Sequence, residues 1–183
     1  VDAYVPVVEA LMSPIMLNNV PVSGSSVTAL PGDILQSKFD IRNKGNEIVN
    51  NSKFVLPIPY TADYVNGSLS KVINFTPTTP NSLYYDPSLG PKGSIVFDLG
   101  ALPLPANIND ILATITFKLK ITEDCSVLKN SNCNQNVSIS GFISGKGDNT
   151  KVEFSEKPFY IGYTSGTCDN EPIVNPLVIN INS

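Results

Sequence analysis

From Ile111 to Thr122 apolar and polar residues alternate, with Leu112 the one apolar residue on the polar side. Ile111, Ala113, Ile115, Phe117, Leu119 and Ile121 fall on one face, and Leu112, Thr114, Thr116, Lys118, Lys120 and Thr122 on the other. Successive side chains of a strand point to opposite sides, so this run suits a strand with one buried and one wet face. Shorter runs repeat it: Ile95, Phe97 and Leu99, then Val137, Ile139 and Ile143. Leu35, Phe39 and Ile41 also share an inward face, which Ser37 interrupts, while Gln36, Lys38, Asp40 and Arg42 face outward.

No segment reads as a helix; the best stretch, VVEALM at 7–12, is short and is followed by Pro14. The 15 prolines and 12 glycines punctuate the chain. Leu30-Pro31-Gly32-Asp33 predicts a type II turn, with Pro setting φ and Gly supplying positive φ. Gly90-Pro91-Lys92-Gly93 predicts another turn, and Pro57 and Pro59 mark an edge or a strand exit. Strands are expected at 4–9, 15–20, 26–30, 34–42, 51–56, 64–74, 82–86, 94–99, 111–122, 136–144, 151–163 and 176–182.

Many short strands between turn signals predict an all-β fold, an Ig-like antiparallel β-sandwich with extra N- and C-terminal strands. The expected organisation is leading strands or a linker over 1–26 and the sandwich over 27–150. The C-terminal strands over 151–183 belong to the same domain or to a junction with the next unit. No internal repeat is visible. The abrupt start at Val1 and the strand-like close PLVININS are expected of a segment cut from a longer protein.

Of 183 residues, 42% are hydrophobic, enough for a core. Only 15% are charged, against roughly 25% in ordinary soluble domains. Asn, Ser and Thr must supply the polar surface, as suits an extracellular module. The net charge is −4 and Lys and Arg are scattered, which argues against nucleic acid, whose binding needs clustered cations. There is no apolar run of about 18 residues, so no membrane span is expected in this segment.

The chain has no His and no G-x-S-x-G elbow, so a Ser or Cys nucleophile lacks its usual base. Nothing selects two of the 16 acids as a glycosidase pair. No enzyme is expected. Three cysteines without His do not complete a zinc site. Cys125 and Cys133, in CSVLKNSNC, are expected to form a disulfide in an oxidising compartment; the competing reading is three free thiols in a cytosolic chain. Cys168 is left to pair beyond Ser183 or to exchange into that bridge. Calcium, the one cofactor the sequence allows, would take oxygen ligands from Glu123-Asp124 and Asp148-Asn149, where two strands end, if these meet at one end of the sandwich. Solvated loop acids are the plainer reading of all four. For a Lys–Asn isopeptide crosslink, which needs a buried Lys, Lys53 is the remaining candidate. The chain has no Trp. The Tyr84-Tyr85 pair beside Asp86, with Tyr60 and Tyr64, is the only aromatic cluster near loops that suits a sugar platform, and one member of the pair must point outward.

From about Val27 to Asn149 the order PGDILQSKFDIRNKGNE, FVLPIP, YVNGS, FDLGALP, ATITFKLKIT and VSISGFISGKGDN resembles the DUF11-type conserved repeat of bacterial surface proteins. The C-terminal part, with CSVLKNSNC and GTC, is similar to modules of very large secreted proteins in gliding Bacteroidetes-type bacteria. The common repeat lacks the Cys loop, so this chain departs from it after Thr122. The resemblance implies export by the type IX route to an extracellular, cell-surface location. It implies a structural or adhesive unit of a large surface protein serving gliding motility. Its partners would be neighbouring domains of the same polypeptide and a surface polysaccharide or protein. The alternative is a carbohydrate-binding module of a secreted enzyme, with Tyr84 and Tyr85 at its site.

Overall fold

The computed structural model describes residues 3–12, 15–22, 27–124, 136–158, 162–163, 172–173 and 177–181. In chain order the strands are β1 Val8–Met12, β2 Met16–Leu17, β3 Val20–Pro21, β4 Val27–Ala29, β5 Ile34–Asn43 and β6 Val49–Pro57. There follow β7 Ala62–Tyr64, β8 Ser70–Ile73, β9 Ser82–Asp86, β10 Ser94–Leu102, β11 Ala113–Ile121 and β12 Asn136–Ile139. The last are β13 Phe142–Gly147, β14 Glu153–Pro158, β15 Gly162–Tyr163, β16 Pro172–Ile173 and β17 Leu177–Ile181. Among the described residues there is no helix, and so none long and apolar enough to cross a membrane.

The chain is an all-β, Ig-like sandwich. Its seven-stranded sheet is built on β5 and β11, which pair antiparallel from Ile41↔Ala113 to Ile34↔Lys120. β1 and β2 follow each other along the free edge of β5, and β8 and β7 along that of β11. The five-stranded sheet runs β14-β13-β6-β10-β9. β17 lies between β12, antiparallel, and β4, parallel. β15 and β16 form a separate pair.

Alternation sends Leu35, Phe39, Ile41, Ile115, Phe117 and Leu119 inward from one sheet, and Phe54, Leu56, Ile95, Phe97 and Leu99 from the other, all fully buried. Phe39 stacks on Phe117 at 6.0 Å beside it and tilts against Phe54 of the opposite sheet at 5.2 Å. Burying a side chain of that size stabilises the fold by roughly 1.5–3 kcal/mol. Val8, Ala10 and Met12 of β1 and Ile179 and Ile181 of β17 join the same core.

The turns are closed by residues chosen for their backbone. At Leu30–Asp33, Asp33 N–H donates to the Leu30 carbonyl at 3.1 Å and Gly32 has φ +87°, as a type II turn requires. The β5–β6 loop is organised by buried Asn43, whose Nδ2 donates to the Glu47 carbonyl at 3.0 Å.

Three expected strands are broken within the described residues. Residues 15–20 form a hairpin, β2–β3, across Asn18 (φ 48°) and Asn19 (φ 67°), the two left-handed positions of a type I′ turn. Residues 64–74 split into β7 and β8 around Gly67. Residues 136–144 change sheets, β12 pairing with β17 and β13 with β6. Gly141 sits at that crossing, where a side chain would press on the Val55 carbonyl. The outward row of β5 is not all wet either. Asp40 is buried and accepts the Thr114 hydroxyl at 3.0 Å.

Candidate functional site

The five-stranded sheet turns its second face away from the core. Tyr84, Val96, Val55, Phe142 and Pro158 are successive cross-strand partners and form one apolar row across it. Tyr84 is 41% and Phe142 39% exposed, while Val96 between strands is covered. The next row is polar: Ser82, Asp98, Lys53 and Ser144.

Beyond that row the strands fall out of step. β10 carries an extra residue between Asp98 and Gly100, and β6 carries one between Ser52 and Val49 against β10 and between Lys53 and Asn50 against β13. β14 carries one between Lys157 and Phe154. Bulges bend strands and re-aim side chains. Three left-handed residues gather here, Asn51 (φ 51°), Gly100 (φ 66°) and Lys151 (φ 57°). For a non-glycine residue that conformation costs on the order of 1 kcal/mol or more.

The misfit opens a groove of about 700 Å³ walled by Asn50, Asn51, Thr79, Asp98, Gly100 and Lys146. A second hollow of about 410 Å³ shares Asn51 and Lys146 and reaches Glu153 and Phe154. Ala101 N–H donates to Thr79 Oγ1 at 2.8 Å, pinning the loop before β9 against β10. A Cβ on Gly100 would collide with that oxygen.

Both lysines of the groove have acidic neighbours. Lys146 stands 3.7 Å from Glu153 and Lys151 4.0 Å from Asp148. Asn50 Nδ2 donates to Asp148 Oδ1 at 2.8 Å. Asp98 accepts from Gly100 N–H at 3.2 Å and lies across the ladder from Lys53. The carboxamide of Asn51 is exposed and makes no hydrogen bond to another described residue.

The residues expected from the sequence fall elsewhere. Tyr84 points out on the apolar row, but Tyr85 points in. Its ring stacks on Tyr64 of the other sheet at 4.4 Å and its hydroxyl donates to the Lys92 carbonyl at 2.6 Å. Tyr85 therefore braces the 90–93 turn and offers no face to a ligand. Glu123 and Asp124 follow β11 beside Gly32, where β5 begins. Asp148 and Asn149 lie beside Ile48 and Glu47, past the end of β5. The ten residues of β5 separate the two acid pairs, about 30 Å at strand rise, so they do not form one calcium site. Lys53 is on the outward face, not buried beside an amide and an acid. Cys125, Cys133 and Cys168 lie outside the described residues. The groove itself has one sequence signature, a step of three in the inward set of each central strand: Val49 to Ser52, and Leu99 to Leu102.

No family model matches the chain, and no curated protein matches it. Solved structures share its fold. The major pilin subunit BcpA of Bacillus cereus superposes with a TM-score of 0.52 at 10% identity, over 95% of this chain and 39% of the pilin. A 35 kDa C-terminal fragment of the major pilin GBS80 of Streptococcus agalactiae gives 0.53 at 5% identity, over 94% and 56%. The T6 backbone pilin of Streptococcus pyogenes gives 0.50 at 9%, over 96% and 36%. The chain thus spans between about a third and just over half of each of these proteins. At such identities the likeness is one of fold.

Proposed function

We propose that this chain is a structural and adhesive unit of a large exported bacterial cell-surface protein. The observation that carries the reading is the sandwich itself, which superposes on major pilin subunits over nearly the whole of this chain.

The fold shared with pilin subunits supports the reading, as do low charge and abundant neutral polar surface. The C-terminal CSVLKNSNC and GTC motifs support the finer reading, a gliding-motility adhesin exported by the type IX route, and the ordered motifs that resemble the DUF11-type repeat support a surface unit. These ordered motifs fall on the joints of the fold: PGD on the turn before β5, RNKGNE on the β5–β6 loop, DLGA on the β10 bulge. The Cys125–Cys133 bridge belongs to that same proposal. The test is antibody labelling of intact cells of the source bacterium, with and without external protease. Labelling that protease removes is the expected result. Signal that appears only after lysis would overturn the reading.

A further inference from the structure

The bulge groove has the properties of a prepared site. Register shifts in neighbouring strands fall at one level, and two non-glycine residues there keep left-handed backbones. Asn51 keeps this backbone within β6, between two paired strands, and Lys151 keeps it where the β13–β14 turn closes on the Gly147 carbonyl. The ladders and the Thr79 pin hold the walls before any ligand arrives, which lowers the ordering cost of binding.

Its chemistry selects a ligand class. Lys146 and Lys151 already face Glu153 and Asp148, so an anion is not favoured. The walls mix amides, a hydroxyl and a carboxylate with the apolar surfaces of Pro80 and Ala101, as a sugar ring with polar edges and apolar faces requires. The Asn51 carboxamide carries donors and an acceptor in one plane, and both are available. Vicinal sugar hydroxyls, each a donor and an acceptor, match such a group. The second hollow, toward Phe154, adjoins the groove at Asn51 and Lys146, which gives a linked sugar a neighbouring place to lie.

The geometry points to this groove as a binding site for a neutral oligosaccharide segment, with Asn51 as its central contact and Asp98 and Thr79 beside it. The site stands on the groove alone and does not depend on where the protein is displayed. It replaces the Tyr84–Tyr85 platform, since Tyr85 is turned inward.

The test is an amide NMR titration of the chain with the tetramers of glucose, mannose and N-acetylglucosamine, and with tetragalacturonate as the charged counterpart. Saturable shifts at Asn51, Gly100, Ala101 and Gly147 with at least one neutral tetramer are expected. Asn51→Gly keeps the left-handed backbone and removes the carboxamide. It should weaken binding about three- to tenfold, the loss of one neutral hydrogen bond or two. Three results would overturn the proposal: no shift with any neutral tetramer at millimolar concentration, binding of tetragalacturonate alone, or shifts centred on Tyr84 that Asn51→Gly leaves unchanged. Intracellular location, the outcome that sinks the surface reading, leaves this titration unaffected.

Discussion

Glu47 and Asn149, 102 residues apart in the chain, are joined by a 2.9 Å hydrogen bond from the Asn149 backbone N–H to Glu47 Oε1. The same oxygen accepts from Thr150 N–H at 3.1 Å, and Glu47 is 1% exposed. One buried carboxylate from the β5–β6 loop thus shapes the 148–151 turn that closes the groove. Hydrogen bonds to a charged group contribute about 1.5–3 kcal/mol. Glu47→Ala is expected to destabilise the fold by about 2–3 kcal/mol. Hydrogen exchange should speed up first at Asn149 and Thr150, ahead of β5 and β11.

Ser37 sits directly opposite Phe117 on the inner face. It is fully buried, and its hydroxyl has no hydrogen-bond partner among the described residues. An unsatisfied buried hydroxyl costs more than a methyl of similar shape. Ser37→Ala is expected to stabilise by about 0.5–1 kcal/mol, read as a higher urea midpoint at unchanged slope. A lower midpoint would show that the hydroxyl has a partner, such as an enclosed water.

The strands whose period of two runs nearly their whole length are legible to within a residue or two. β11 was expected at 111–122 and spans Ala113–Ile121; β5 was expected at 34–42 and spans Ile34–Asn43. β6 and β10 were expected at 51–56 and 94–99 but run on to Val49–Pro57 and Ser94–Leu102. Both expectations stop at the bulge, because one extra residue ends the period of two. That is also where the groove lies, so the rule that found the strands was blind to the site.

The aromatic pair shows the other limit. Alternation required one of Tyr84 and Tyr85 to face out, and Tyr84 does. That Tyr85 would meet Tyr64 depends on two sheets stacking, which no local pattern encodes. The acid pairs follow the same logic. Both sit at strand ends, but which pole each occupies depends on strand direction, fixed only when β11 pairs antiparallel with β5 and β13 with β6.

Asp86 Oδ1 accepts from the Ser88 hydroxyl at 2.7 Å and from Ser88 N–H at 2.9 Å. These bonds, the hydroxyl's first, hold its carboxyl below the usual carboxylate range, and the charge of Lys53 adds to them. A depressed folded value means the group favours folding above its unfolded pKa and loses that contribution as pH falls through the folded one. Ser88→Ala is expected to move the Asp86 titration upward, toward the ordinary value of about 3.9. Carboxyl carbon shifts followed through the acid range report it directly. An unchanged midpoint would assign the depression to the backbone bond and Lys53.

Gly100 and Gly67 have similar backbones, φ +66° and +78°, in opposite surroundings. A Cβ at Gly67 meets nothing within 4 Å, whereas one at Gly100 runs into Thr79 Oγ1 and lies 2.9 Å from the Pro80 carbonyl. Gly67→Ala pays only for the left-handed conformation, about 1 kcal/mol. Gly100→Ala adds the collision, at about 1–3 kcal/mol more, and should displace Thr79 from the Ala101 amide. Urea unfolding of the two variants therefore isolates the steric part, and the Ala101 amide shift reports whether the groove wall has moved. Equal losses from both substitutions would mean that the loop carrying Thr79 yields freely and that the groove has no fixed wall on that side.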